Sequence, residues 1–175
     1  MAKIEFSDMA REYAANLAVI QRVEKEFEES ITAFWDSLYS ELALGVKPLI
    51  FGHSKPTKQW TFWASNVKRP EKKSEYWPGA LLWTEDAFDT RIVLSGELHL
   101  IAGVPSGEAE ICKSVRALAG DPKFSAFCKP DTKAMWYLFR AQFKSPNGAD
   151  MQTLVEPITG LLRAMHEATV AAQPK

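Results

Sequence analysis

The chain has 175 residues, of which 46% are hydrophobic and 25% charged, proportions typical of a globular domain rather than a disordered chain. No apolar run approaches the ~20 residues that span a bilayer, and the N-terminal residues lack the apolar core of a secretory signal. Two cysteines, Cys112 and Cys128, are too few for a disulfide framework. These features predict a cytoplasmic protein with free thiols and no membrane segment.

The net charge of −1 is unevenly distributed along the chain. Residues 1–45 carry four basic and nine acidic side chains (−5), residues 46–78 seven and two (+5), and residues 79–175 ten and eleven (−1). A basic middle segment therefore follows an acidic N-terminal segment, and such asymmetry is typical of chains with a charged partner.

A long N-terminal helix is the clearest local prediction. Residues 7–44 contain neither Gly nor Pro, Ser7 is a suitable N-cap, and Gly45 followed by Pro48 provides a stop. Aromatic and aliphatic residues recur seven positions apart at Tyr13, Ile20, Phe27 and Phe34, as in the seam of a coiled coil.

The length of this helix leaves two alternatives. Thirty-eight helical residues extend over ~57 Å, whereas a domain of this size is ~40 Å across. The helix therefore either bends or breaks near Ser30–Thr32, or packs its apolar stripe against a second copy of the chain.

The hydrophobic period changes from residue 47 onward to the two-residue period of strands. Five segments rich in aromatic and β-branched residues are predicted as strands: Lys47–His53, Gln59–Asn66, Ala80–Thr84, Thr90–Leu94 and Glu97–Val104. The short links between them favour an antiparallel meander.

The rest of the chain is predicted to form a helix, a strand and a helix, at Glu108–Ala119, Met135–Lys144 and Asp150–Ala172. The final helix has an inner stripe of Leu154, Ile158, Leu161, Leu162 and Met165. We therefore predict a single α+β domain over residues 1–175, with a long N-terminal helix, an antiparallel sheet of about five to six strands, and helices mainly on one face. Its parts are the helical residues 1–45, the strand meander 46–106 and the helix–strand–helix segment 107–175.

Residues 46–78 combine lysines with tryptophans. Surfaces that bind single-stranded nucleic acid need cations for the phosphates and rings for the bases. Trp63 and Trp136 are predicted to be partly exposed, and Arg140 and Lys144 extend the patch if the later strand is a neighbour. The candidate binding residues are Lys55, Lys58, Trp63, Lys68, Arg69, Lys72, Lys73, Trp136, Arg140 and Lys144. The alternative is that the lysines are ordinary solvated charges and the tryptophans pack in the core.

A carboxylate set near the central strands suggests a second kind of site. Asp86 and Asp89 precede Glu97, and His99 lies two residues after Glu97 on the same face. Carboxylates that converge on Mg²⁺ beside a basic group are needed by a metal-dependent nuclease. The pattern resembles that of the PD-(D/E)xK nucleases, with Glu97-Leu98-His99 at the place of E-x-K. It departs from that family because His replaces Lys and a turn separates the acidic residues. The alternative is that Glu97 and His99 simply face water.

The remaining reactive groups suggest no further site. The histidines and cysteines lack the spacing of a metal site. Cys128, next to Lys129, is either a nucleophile of lowered pKa or a buried packing residue. No catalytic residue is assigned, and no cofactor or metal is predicted.

These observations together predict a non-catalytic interaction protein of bacterial cytosolic type. We expect a homodimer that pairs through Tyr13, Ile20, Phe27 and Phe34 and binds a partner, self or another protein, through an aromatic and basic sheet face. The alternative is a nucleic-acid-binding or nucleic-acid-processing protein that uses residues 46–78, with a metal-dependent nuclease as the weaker form of it.

Overall fold

The computed structural model describes residues 7–54, 60–69, 77–84, 97–105, 107–130, 138–144 and 151–173. They form α1 (Asp8–Gly45), β1 (Ile50–Ser54), β2 (Thr61–Ser65), β3 (Ala80–Thr84), β4 (Glu97–Gly103), α2 (Ala109–Ala117), β5 (Cys128–Pro130), β6 (Phe139–Lys144) and α3 (Gln152–Ala171). The chain divides into two compact units, Met1–Ser37 and Leu38–Lys175. The α+β fold with a long N-terminal helix is as predicted, whereas a single domain over residues 1–175 stays a prediction.

Helix α1 is one uninterrupted helix of 38 residues, so the alternative of a break near Ser30–Thr32 is wrong. Its start is capped as predicted, because the backbone N–H of Ala10 donates to Ser7 Oγ at 3.2 Å. Two exposed ion pairs between residues four apart, Arg22–Glu26 and Lys25–Glu29, each add about 0.3–0.5 kcal/mol to the helix. The helix ends at the predicted stop, Gly45.

The six strands form one antiparallel sheet in the order β1-β2-β3-β4-β6-β5. The first four strands follow chain order as an antiparallel meander, but β3 pairs directly with β4, so Thr90–Leu94 does not lie between them in the sheet as predicted. β6 then pairs with β4, and β5 lies at the edge beyond β6. Helix α2 and the turn Leu118–Gly120 lie in the chain between β4 and β5, so this part of the sheet is assembled from distant segments.

One face of the sheet carries the core of the second unit. The register places Phe62 opposite Leu82, and Leu98 opposite Phe143. All four side chains are buried, and full burial of each contributes about 1.5–3 kcal/mol. α3 covers this face with the predicted inner stripe, whose members are all buried: Leu154, Ile158, Leu161, Leu162 and Met165.

The last turns of α1, within the second unit, also contribute to this core. Tyr39 stacks on His53 with ring centroids 4.0 Å apart, and its ring also contacts Trp60 and Phe62. β1 is thereby joined to the helical layer by an aromatic cluster.

Several predicted boundaries differ from the observed ones. β1 begins three residues later than predicted, at Ile50, after a cis Lys47–Pro48 peptide. The predicted strand Thr90–Leu94 and residues 135–137 of the later strand lie outside the described residues. β5 was not predicted, because its three residues, one of them Pro130, are too few to show a strand period.

Candidate partner-binding face

The face of the sheet opposite the core is called here the second face. Because side chains alternate along each strand, the residues between the core positions point to it. The second face consists of Ile50, Gly52, Ser54, Thr61, Trp63, Ser65, Leu81, Trp83, Glu97, His99, Ile101, Gly103, Lys129, Arg140, Gln142 and Lys144. The helices lie mainly on the core face, as predicted.

One row of cross-strand neighbours on the second face changes from apolar to basic. The register joins Trp83 to Ile101, Ile101 to Arg140, and Arg140 to Lys129. Ile101 is buried and Trp83 half-buried, while Arg140 and Lys129 are exposed. We call these four residues the Trp83 row. Neighbouring strands are ~4.8 Å apart, so the row extends over about 14 Å.

The two basic members of the Trp83 row stand directly opposite each other. Lys129 of β5 is the register partner of Arg140 of β6, and both side chains are exposed. Like charges at directly opposed positions destabilise a strand pair. The register therefore places two positively charged side chains on neighbouring strands at this edge of the sheet.

A second aromatic and basic group lies at the other end of the sheet. The Arg69 guanidinium lies 4.7 Å from the ring centroid of Trp63 and 5.9 Å from that of Trp77. The two indoles meet edge to face at 6.4 Å. Contacts of this kind contribute about 0.5–1 kcal/mol at exposed sites. We call these three residues the Trp63 cluster.

Arg140 and Lys144 were predicted to extend the surface around Trp63 if their strand were its neighbour, and this condition is not fulfilled. β3 and β4 separate β2 from β6, so Trp63 and Arg140 are three strands apart. Arg140 belongs instead to the row of Trp83, which the sequence did not single out. The second face therefore has two aromatic and basic groups, one at each side.

Glu97 and His99 lie on the second face, and they engage each other. His99 Nε2 is 3.1 Å from Glu97 Oε2. The pKa of the Glu97 carboxyl is below its ordinary value, chiefly because of this hydrogen bond, with Gln142 and the charge of Lys144 acting in the same direction and desolvation opposing them. Asp86 and Asp89 lie outside the described residues. Within the part of the chain that the structure describes, no group of three His, Cys, Asp or Glu residues is placed to hold a metal ion.

The prediction that Cys128 is either a nucleophile or a buried residue is decided by its surroundings. Cys128 is buried on the core face of β5, and desolvation raises the pKa of its thiol to about 12. The reactive thiolate is therefore scarce at neutral pH, so the nucleophile alternative is wrong. Cys128 and Cys112 are both free thiols, as predicted.

Some of the other predicted binding residues are described by the structure, and some lie outside the described residues. Lys68 and Arg69 are exposed just after β2, and Trp63 is half-buried within it, as predicted. Lys144 is exposed at the end of β6 and opposite Glu97. The remaining five, Lys55, Lys58, Lys72, Lys73 and Trp136, lie outside the described residues.

The predicted seam of α1 belongs to the first unit. Tyr13 is 57% and Phe27 37% exposed, while Ile20 and Phe34 are half-buried. No described side chain before Ile31 is buried. The outer part of α1 therefore presents the predicted seam largely to solvent.

Sequence reasoning missed Trp83, Trp77 and Lys129. Trp83 lies in the uniformly apolar segment Ala80–Thr84, where alternation does not tell the two faces apart. Lys129 lies in the unpredicted strand β5. No local signal would have placed Lys129 opposite Arg140, because that contact depends on the pairing of β5 with β6.

Comparison with family models, with curated proteins and with solved structures gives no match for this chain. None of the described helices has both the length and the apolar character required to cross a membrane.

Proposed function

We propose that this chain is a non-catalytic interaction protein that forms a homodimer through α1 and binds an anionic partner through the second face of its sheet. The observation that carries the proposal is the direct opposition of Lys129 and Arg140 on an exposed edge. Two cations at opposed, exposed positions of neighbouring strands are complementary to an anionic group of a partner.

Other cations of the sheet and of the segment after β2 also support an anionic partner. Lys144 is exposed on the same face of β6, and Lys68 and Arg69 follow β2. Among the described residues of the second face, the one carboxylate is that of Glu97, which is held by His99 at 3.1 Å.

Single-stranded nucleic acid is the partner class favoured by the aromatic residues. The Arg69 guanidinium lies 4.7 Å from the ring centroid of Trp63, and the Trp83 row places another indole two strands from Arg140 and three from Lys129. The distance from β2 to β5 is four strand spacings, about 19 Å, which accommodates several nucleotides. Rings that stack on bases, interspersed with cations for phosphates, are the usual elements of such surfaces. An acidic protein segment would pair with the cations but has no bases to stack on the aromatic rings.

The cytoplasm is the compartment that the proposal assumes. Two free, buried thiols support a reducing environment, and cytoplasmic nucleic acid or acidic proteins are available there as partners.

The proposal is tested by fluorescence anisotropy with a labelled single-stranded oligonucleotide at salt concentrations from about 50 to 200 mM. We expect binding that weakens with salt. Arg140→Gln and Lys129→Gln should each reduce the slope of log K against log[salt] by about 0.7. The matched control is Lys113→Gln, which removes an exposed charge from α2 and should leave the slope unchanged.

Two results would contradict this assignment. One is the absence of oligonucleotide binding at low salt, and the other is an equal loss of affinity in the Lys113 control. Binding of polyglutamate with the same affinity and the same dependence on Arg140 and Lys129 would support the anion-binding face but assign its partner to an acidic protein.

A further inference from the structure

The outer part of α1, within the first unit, carries an apolar seam. Four of its side chains are well exposed, with Met9 at 80%, Tyr13 at 57%, Val23 at 56% and Phe27 at 37%. Leu17 and Ile20 lie between them and are half-buried. Most helical stability in proteins comes from tertiary packing of an amphipathic face, so this seam favours a partner.

The part of the seam available to a partner has a definite end. Buried side chains begin at Ile31 and continue with Trp35. A partner helix therefore has residues 8–30 to pack against, a length of about 34 Å.

We propose that α1 pairs with α1 of a second copy in antiparallel orientation, with Leu17 of one copy beside Ile20 of the other. This inference rests on the self-association proposed above for α1, and it adds the orientation and the register of the pair.

The charge distribution along α1 favours the antiparallel orientation. Residues 24–29 contain four glutamates and one lysine, a net charge of −3, whereas residues 8–13 contain two acidic residues and one arginine, a net charge of −1. A parallel pair would place the two −3 segments side by side. An antiparallel pair separates them by about 24 Å along the axis, well beyond the Debye length of about 8–10 Å at physiological salt.

The position of Glu24 supports the same orientation. Glu24 lies on the seam, seven residues before Ile31 and between Ile20 and Phe27. In a parallel pair it would meet Glu24 of the second copy, and two carboxylates would face each other in the interface. In the antiparallel pair it lies beside Tyr13 of the second copy, whose hydroxyl can donate a hydrogen bond to it.

The sizes of the side chains fit the proposed register. Alignment of residue 17 with residue 20 also places Ala10 opposite Phe27, a small side chain against a large one. A shift by one heptad in one direction would require Ile31, which is already 5% exposed and therefore has little surface left to offer. A shift in the other direction would shorten the overlap of the two helices to residues 8–22, so the proposed register pairs the most of residues 8–30.

The test combines a mass measurement with disulfide trapping. We expect light scattering after size-exclusion chromatography to give about 39 kDa, twice the chain mass of 19.6 kDa. Ile20→Glu should halve this mass. Val19→Glu should not, because Val19 is equally apolar and 51% exposed but points about 100° away from Ile20 around the helix.

Orientation is then read from two cysteine variants carried on separately tagged chains. Tyr13→Cys mixed with Glu24→Cys should form a covalent heterodimer on mild oxidation. Tyr13→Cys alone should not cross-link, because the two residues lie about 16 Å apart along an antiparallel pair, and a disulfide needs Cβ atoms ~3.5–4.5 Å apart. The wild-type chain, whose two thiols are buried, is the cross-linking control.

The possible failures are distinguishable. A wild-type mass of 19.6 kDa at tens of micromolar would overturn both the self-association and the orientation. A dimeric mass together with self-linking of Tyr13→Cys would overturn only the antiparallel orientation. A dimeric mass with no mixed Tyr13–Glu24 disulfide would likewise reject the proposed register.

Discussion

The glycine at position 52 is explained by the ring that lies against it. Gly52 of β1 is the register partner of Trp63 of β2, and a Cβ placed on Gly52 would overlap atoms of the Trp63 indole. The indole of Trp63 therefore lies against the backbone of Gly52, and the Arg69 guanidinium lies 4.7 Å from the ring centroid. An aromatic residue that covers a cross-strand glycine replaces the packing that the missing side chain would have provided.

We predict that Gly52→Ala destabilises the protein by about 1–3 kcal/mol, because the added methyl group forces the indole of Trp63 from its position. The measurement is the free energy of unfolding in urea. The matched control is Gly160→Ala within α3, where a Cβ meets nothing within 4 Å. That change should stabilise the helix by about 0.5–1 kcal/mol. Equal effects of the two substitutions would contradict the close packing of Trp63 on Gly52.

Residues of the candidate face differ in how far the sequence could place them. Alternation in β2 and β6 correctly predicted a partly exposed Trp63 and an exposed Arg140 and Lys144. The contact of Arg69 with Trp63 was not predictable, because Arg69 lies beyond the end of β2 and no periodicity applies there.

At the scale of the elements, the end of α1 is held by α3. The Arg163 guanidinium donates to the carbonyl oxygens of Gly45 at 2.6 Å and Lys47 at 2.8 Å. The last carbonyls of a helix have no partner within it, and a cation near them also interacts favourably with the helix dipole. Arg163 thus satisfies the backbone where the chain leaves α1 for β1.

We predict that Arg163→Ala lowers the free energy of unfolding by about 1–2 kcal/mol, because it leaves two carbonyl groups without a charged donor. Arg163→Lys should restore part of the loss, since an ammonium group reaches the same oxygens without the planar fork of the guanidinium. Denaturant unfolding of both variants is the measurement, with Lys113→Ala on α2 as the surface control. A loss no larger than that of the control would show that the cap contributes nothing.

The sequence predicted those elements whose hydrophobic pattern repeats over many residues. α1 and the inner stripe of α3 follow from periods repeated over many residues, and both were confirmed. β5 has three residues, Cys128–Pro130, and becomes a strand only because β6 provides a partner.

At the scale of the whole molecule, burial is unevenly distributed. None of the described residues 7–30 is buried, and buried side chains begin at Ile31. Residues 31–175 therefore contain the buried side chains of the described chain, while the proposed pairing surface lies in the residues before them.

We predict that a chain truncated to residues 31–175 unfolds cooperatively, with a free energy within about 0.5 kcal/mol of the full chain, as for changes away from buried features. The comparison is made at a protein concentration low enough for both chains to be monomeric, because association would otherwise add to the apparent stability. At tens of micromolar the truncated chain should remain monomeric by light scattering. An unfolded fragment would show that folding requires residues before Ile31. A fragment that still dimerises would show that pairing does not require them.

The sequence by itself determined the α+β class, the long N-terminal helix with its seam, and the faces of β2, β6 and α3. These properties are local, because a repeat of side chains along the chain decides which of them lie together on one element. Only the tertiary structure decided that β6 pairs with β4, that β5 forms the edge, and that Lys129 stands opposite Arg140. Strand pairing between segments separated by α2 depends on how their buried faces fit together. The repeat of side chains along one segment does not predict that fit.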